Sequence, residues 1–174
     1  NHPNEELGDL QERPMLRGPF ARAEPRQRDL HPAAYLQGES PLPFLRYSRQ
    51  QIIGNLIEAQ LRRLKVKLPH RLEIDSNQTM MAMIAAGAGW AITTPLCYFR
   101  AQRFHGQVAL HPFPGRSFSR YISLLATPEC SQSIIDLVNG ALRDLIEEHA
   151  LKPARSAMPW MADDFKLLGQ SEIE

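Results

Sequence analysis

The apolar positions of this chain change period repeatedly, and each change marks an element. Phe44-Leu45-Arg46-Tyr47 reads as a short strand, after which Ile52, Ile53, Leu56, Ile57, Ala59 and Leu64 fall mostly on one helical face. Ser48 with Gln51 three residues later matches a capping box, so Ser48 is expected to open this helix and Pro69 to end the segment. Arg71–Ile74 alternates as a strand. Asp75 or Ser76 then caps a second helix, Asp75 with Gln78 making another box, and Met80, Met81, Met83, Ile84, Ala85 and Ala86 form its apolar surface. Gly87-Ala88-Gly89 stops that helix, because glycine accepts the left-handed conformation that closes one. Trp90–Thr94 is a buried strand stopped by Pro95. Gln107–Phe113 alternates again before the turn Pro112-Phe113-Pro114-Gly115, and Tyr121–Ala126 is a further strand. The last helix runs from Ser131 to His149, with Ile134, Val138, Ala141 and Leu145 in one stripe beside Ile135, Leu142 and Ile146.

Residues 1–43 are less regular. Weak strand patterns at Leu10–Leu16 and Phe20–Glu24 lead into a linker holding His31-Pro32 and Ser40-Pro41-Leu42-Pro43, where proline discourages helix. The tail Lys152–Glu174 carries Trp160, Met161, Phe165 and Leu168, which either dock on the protein or a second subunit, or belong to a disordered end. Strands alternating with helices predict an α/β fold with a largely parallel sheet. Ile53, Leu56, Ile74, Ile84, Trp90 and Ile92 are its expected core.

Composition narrows the class. A chain of 174 residues, 43% hydrophobic and 22% charged, is globular and long enough for one domain or two small lobes. Cys97 and Cys130 have no CxxC spacing, so neither a disulfide framework nor a zinc site is expected, and a reducing cytoplasm fits. Every long apolar run is interrupted too soon to span a membrane, and the N-terminus lacks the apolar stretch of a signal peptide. The net charge of +1 is uneven, with 12 Lys and Arg against 8 Asp and Glu in residues 1–71. These cations, among them Arg13, Arg17, Arg22, Arg26 and Arg28, read as solvated arginines interleaved with Glu12, Glu24 and Asp29. Such a surface makes too few phosphate contacts for strong nonspecific DNA binding. No G-x-S-x-G or HExxH string occurs, and the six histidines lack ligand spacing. Gly87-Ala88-Gly89 follows a helix where a nucleotide loop would follow a strand. The chain therefore reads as a non-enzyme without metal or cofactor.

The stretch Glu73-Ile74-Asp75-Ser76 … Met83-Ile84-Ala85-Ala86-Gly87-Ala88-Gly89-Trp90-Ala91-Ile92-Thr93-Thr94-Pro95 resembles the core of the effector-binding domain of LysR-type transcriptional regulators. That family carries a strand, a capped helix ending in a "V-A-A-G-x-G" turn, and a buried strand closing on proline. Leu42-Pro43-Phe44-Leu45-Arg46-Tyr47-Ser48 before it, and the Phe118–Ala126 run and final helix after it, keep the family's order. The resemblance implies two Rossmann-like lobes built like periplasmic binding proteins, with a small-molecule effector between them. It also implies homo-oligomers (dimer or tetramer), and DNA contacted by an N-terminal helix-turn-helix outside this chain. On this reading residues 1–39 are a remnant of the first lobe with its linker, and residues 40–116 are a complete second lobe. Residues 117–150 return to the first lobe, which is only partial, and 151–174 are the tail. The alternative is a stand-alone solute-binding protein of a transport system, which shares the architecture.

Ligands of open α/β sheets sit at the carboxyl ends of strands, where helix N-termini present free N–H groups. Two turns here have that character, Arg46-Tyr47-Ser48 and Asp75-Ser76-Asn77, and the family's second-lobe contacts come from corresponding turns. Ser48 and Asp75 are either caps alone or caps that also face the effector; Asp75 disfavours an anion. Thr93 and Thr94 resemble the cleft-lining position before the family's proline. Arg46 and Arg120 are either exposed cations or forks for a carboxylate. A small organic acid is the expected guest.

Overall fold

A computed structural model describes residues 10–26, 35–37, 40–69, 72–113 and 118–169. The His31-Pro32 linker, the Pro114-Gly115 end of the expected turn, the first residue of the Arg71 strand and the last five residues of the tail lie outside them. The chain divides into two compact units: residues 1–18 with 119–174, and residues 19–118.

The second unit holds the segments with the clearest patterns. Strands β3 (Leu45–Tyr47) and β4 (Leu72–Ile74) pair in parallel, Tyr47 opposite Ile74. Helix α1 (Ile52–Arg63) connects them, and helix α2 (Asn77–Ala85) leads from β4 to β5 (Ala91–Thr93). Leu45 N donates to Trp90 O at 2.8 Å and Trp90 N to Pro43 O at 3.0 Å, joining β5 to β3 in parallel. These are the two helical crossovers expected from the sequence. The sheet nonetheless departs from the largely parallel one expected. Strand β2 (Ala21–Pro25) runs antiparallel between β5 and β6 (Val108–Pro112), pairing Arg22 with both Ile92 and His111. Only Phe20 separates β2 from the strand that ends at Pro19, so no crossover helix stands between them to bring β2 in parallel with β5. With β2 at this sheet's centre, the compact unit runs over residues 19–118.

The helices bury faces that their sequences only partly announce. Helix α1 turns Ile53, Ile57 and Leu61 inward, while Ile52 and the expected core residue Leu56 (41% exposed) face out. Gly54 explains the choice of face: a Cβ there would stand 2.1 Å from Ser48 O and 2.8 Å from Tyr47 O. The helix therefore lies flat on the β3 exit turn. Gly54→Ala should gain about 1 kcal/mol of helix propensity, yet the clash with fixed backbone should make the variant less stable in urea denaturation. Helix α2 ends as expected. Gly87 takes φ +79°, its N–H meets Ile84 O, and Ala88 N meets Met83 O at 2.9 Å, closing the helix in a Schellman motif. Met80, Met81 and Ile84 are fully buried with Trp90 and Ile92. Pro95 ends β5, but it also opens a short helix α3 (Pro95–Phe99) that the sequence reading leaves out.

The first unit is a sheet in the order β7 (Ser119–Ala126), β1 (Gln11–Pro19), β8 (Lys166–Leu167), with helix α4 (Gln132–Ile146). The tail docks. Helix α4 runs through a π turn at Glu147–Leu151 into α5 (Lys152–Ala157), and β8 pairs antiparallel with β1, Leu16 opposite Leu167. Leu151, Met161 and Phe165 are buried, and Phe165 packs where Gly18 leaves room. On α4 only Ile135 is buried. The stripe Ile134, Leu137, Val138 and Leu145 is exposed, Leu137 by 73%.

Candidate functional site

The turns after β3, β4 and β5 open on one edge of the sheet, because the three strands are parallel and neighbours. Ser48 N donates to Ile74 O at 2.9 Å, tying the first turn to the second. Gln51 Nε2 donates to Asp75 O across the same gap. The Tyr47 hydroxyl stands at the centre, 2.9 Å from Asn77 Oδ1 and 2.8 Å from Thr93 Oγ1. Asn77 Nδ2 donates onward to Cys97 O at 2.9 Å. Thus one buried phenol joins the ends of β3 and β5 to the first residue of α2. Burial, and then the neighbouring Cys97, hold the Tyr47 pKa far above its ordinary value, so it remains a protonated donor.

Around this network stand three hydroxyls in capping or turn roles. Ser76 Oγ accepts from Thr79 N at 3.3 Å and Thr94 Oγ1 from Cys97 N at 3.4 Å, making them the N-caps of α2 and α3. Ser48 Oγ accepts from Gln50 N at 3.2 Å. In each case the oxygen serves as acceptor and the hydroxyl proton remains for another partner. Neither expected capping box forms. Gln51 is the N-cap of α1 without a side-chain bond, and Gln78 reaches Arg100 O instead of its own helix start. Between Asp75 and Ser76, the cap is Ser76.

The sequence-derived candidates therefore separate. Tyr47, Ser48, Ser76, Asn77, Thr93 and Thr94 are gathered at one edge by the bonds above. Asp75 is exposed beside Ser76, with its carbonyl taken by Gln51. Arg46 is not part of the gathering: it is buried, paired with Glu58, donates to Leu68 O, and lies over the Phe44 ring. Alternation along β3 sends Arg46 and Tyr47 to opposite faces, a signal already present in the strand pattern. Arg120 belongs to the other unit, half-buried on β7 with its Nε unbonded. Gln51 and Cys97 join the network without having been singled out. Neither carries a sequence mark for this, since one acts by a long-range side-chain reach and the other through its carbonyl.

Another expectation fails more clearly. Arg22 is not solvated: it is 4% exposed beside Glu24 at 2%. Arg22 Nε lies 3.4 Å from Glu24 Oε2, Tyr35 donates to the same carboxylate, and His111 Nε2 stands 2.9 Å from Oε1. A charged pair in a central strand needs such partners, because burial strips each ion of water.

Compared with known proteins, residues 7–149 match the family model of the LysR substrate binding domain. No curated protein sequence matches the chain. Among solved structures, an OxyR mutant from Corynebacterium glutamicum superposes with a TM-score of 0.65 at 18% identity, over 86% of this chain and 48% of that one. The CcmR regulatory domain of Synechocystis PCC6803 in complex with 2-PG gives 0.59 at 19% identity, over 81% of this chain and 70% of that one. The effector binding domain of QuiR in complex with shikimate gives 0.58 at 14% identity, over 87% and 71%. The chain thus spans about half of the OxyR protein, and these likenesses establish the fold.

Proposed function

The chain belongs to the LysR substrate binding domain family, and on that premise we propose that it is the effector-sensing part of a LysR-type transcriptional regulator, binding a small organic anion at the strand-end turns of its second unit. The observation that carries this reading is the convergence of Ser48, Ser76 and Thr94 on one sheet edge, held in register by Tyr47, Asn77 and Thr93. Hydroxyl protons and first-turn N–H groups suit an oxygen-rich, negatively charged guest. The shikimate and 2-PG complexes of related folds make small organic acids the natural panel to screen. Occupancy then biases a conformational equilibrium that repositions DNA-binding parts carried elsewhere in the regulator. Its place of action is the bacterial cytoplasm, as for any protein that answers to DNA.

The test has two stages. A thermal-shift screen of small organic acids on this chain identifies the guest. In the regulator, Ser76→Ala and Thr94→Val should each weaken the response to it by about 1.5–3 kcal/mol, the worth of a hydrogen bond to a charged group. DNA affinity without effector should stay unchanged. Normal responses from both variants would sink the proposed site.

Homo-oligomerisation is the second part of the reading. Ile134, Leu137, Val138 and Leu145 expose an apolar stripe over three turns of α4, more than a monomer's scattered surface residues account for. A second copy is the partner expected. Leu137→Glu should shift the protein toward monomer in size-exclusion chromatography with light scattering, with helix content retained; an unchanged mass would exclude α4 as the contact.

A further inference from the structure

The two units carry opposite charge. Residues 19–118 hold 13 Lys and Arg against 6 Asp and Glu, while residues 1–18 with 119–174 hold 7 against 13. The net charge of +1 conceals this, because the two excesses nearly cancel. Each unit also has a helix with a bare apolar line, and the two lines match.

On α1, Ile52, Leu56, Ala59 and Arg63 follow one another at steps of four, three and four residues, which keeps them on one outward face. Ile52 is 74% exposed and Leu56 41%. Arg62 lies beside this line at its carboxyl end and has no partner among the described residues. On α4, Ile134, Val138, Ala141 and Leu145 repeat the same steps, and all four are exposed. Asp144 stands beside that line at its carboxyl end, again without a partner among the described residues. Glu148 follows one turn on, sharing its charge with Lys152.

We propose that α4 of one copy docks on α1 of a second copy, apolar line against apolar line, with Arg62 and Arg63 facing Asp144 and Glu148. Equal spacing lets the side chains of one line settle between those of the other. Direction follows from charge. The cations and the carboxylates both sit at carboxyl ends, so only helices running the same way bring them together. A pairing of α4 with α4, or of α1 with α1, sets like-charged units against each other, whereas the mixed pairing sets the basic surplus on the acidic one. The proposal rests on the reading of α4 as the homo-oligomer contact and names the surface that receives it.

Sedimentation velocity on the full chain, over a range of concentrations, reads the association. Ile52→Glu places a carboxylate in the first turn of α1, where the helix tolerates it, and should weaken association roughly tenfold or more because that charge loses its water against α4. Arg62→Glu and Asp144→Lys should each weaken it roughly fivefold, the worth of an exposed pair. The chain carrying both should regain most of the loss, and high salt should erase the differences among these three. Circular dichroism checks helix content throughout; should Ile52→Glu lose it, the charge swap decides. Dissociation by Leu137→Glu with Ile52→Glu at wild-type strength keeps α4 as a contact and overturns α1 as its receiver. Unchanged association in both overturns the two readings together. A wild-type chain that stays monomeric, or single charge variants that the double does not rescue, also overturns the proposal.

Discussion

Glu24→Ala should destabilise the second unit by about 3–5 kcal/mol, the cost of breaking a buried ion pair from one side. Glu24 is 2% exposed in the central strand and serves Arg22, Tyr35 and His111 together. Remove its carboxylate and three groups lose their partner at once. The worst placed is Arg22, which cannot give up its proton and whose Nε and Nη1 already lack a hydrogen bond. Urea denaturation followed by tryptophan emission measures the loss, and a cost under about 1 kcal/mol would mean that solvent reaches the cluster. Glu24→Gln keeps an acceptor for Tyr35 and should cost less. The double replacement Arg22→Met with Glu24→Leu should recover most of the stability, because removing both ions also removes their desolvation penalty.

Trp90→Ala should cost a similar amount, about 3–5 kcal/mol, through lost contact and the cavity left behind. Trp90 is 1% exposed and packs on Tyr35 and Phe44, while its backbone ties β5 to β3 through Pro43 and Leu45. Alanine keeps the backbone bonds but removes the common neighbour of two aromatic rings, leaving a cavity between them. Calorimetry on the whole chain reads this as a lower melting transition of the second unit. Trp90→Phe, which preserves a ring, should lose distinctly less. A Trp90→Ala protein with native stability would show that the surrounding side chains collapse into the gap.

The candidate edge was legible to the extent that its signals are local. Ser76 before a helix, Thr94 before Pro95, and two strand-to-helix successions are written in short windows, the third, into α3, appears only in the structure, and the parallel β3, β4 and β5 bring their ends together. The same windows misplaced Ser48 as a helix cap, because Gly54 lets α1 settle on the backbone of that turn and shifts the helix start to Ile52. They also offered Arg46 as a ligand fork. Its true partners, Glu58 on α1 and the Leu68 carbonyl, are 12 and 22 residues away.

By itself the sequence determined the main strands and helices from Phe44 onward, the stop at Gly87, a helix cap at Asp75 or Ser76 and the burial of Ile84, Trp90 and Ile92. These follow from hydrogen-bond and side-chain periodicities within a turn or two of each residue. Only the tertiary structure decided that β2 enters the sheet antiparallel, that Arg22 and Glu24 go inside, that the tail closes the first unit through Phe165, and that α4 keeps its apolar stripe outside. Each of these depends on which distant segment lies alongside. The physical reason is common to all four: a side chain is buried by its neighbours in space, and a strand's direction is set by the edge open to it when it pairs.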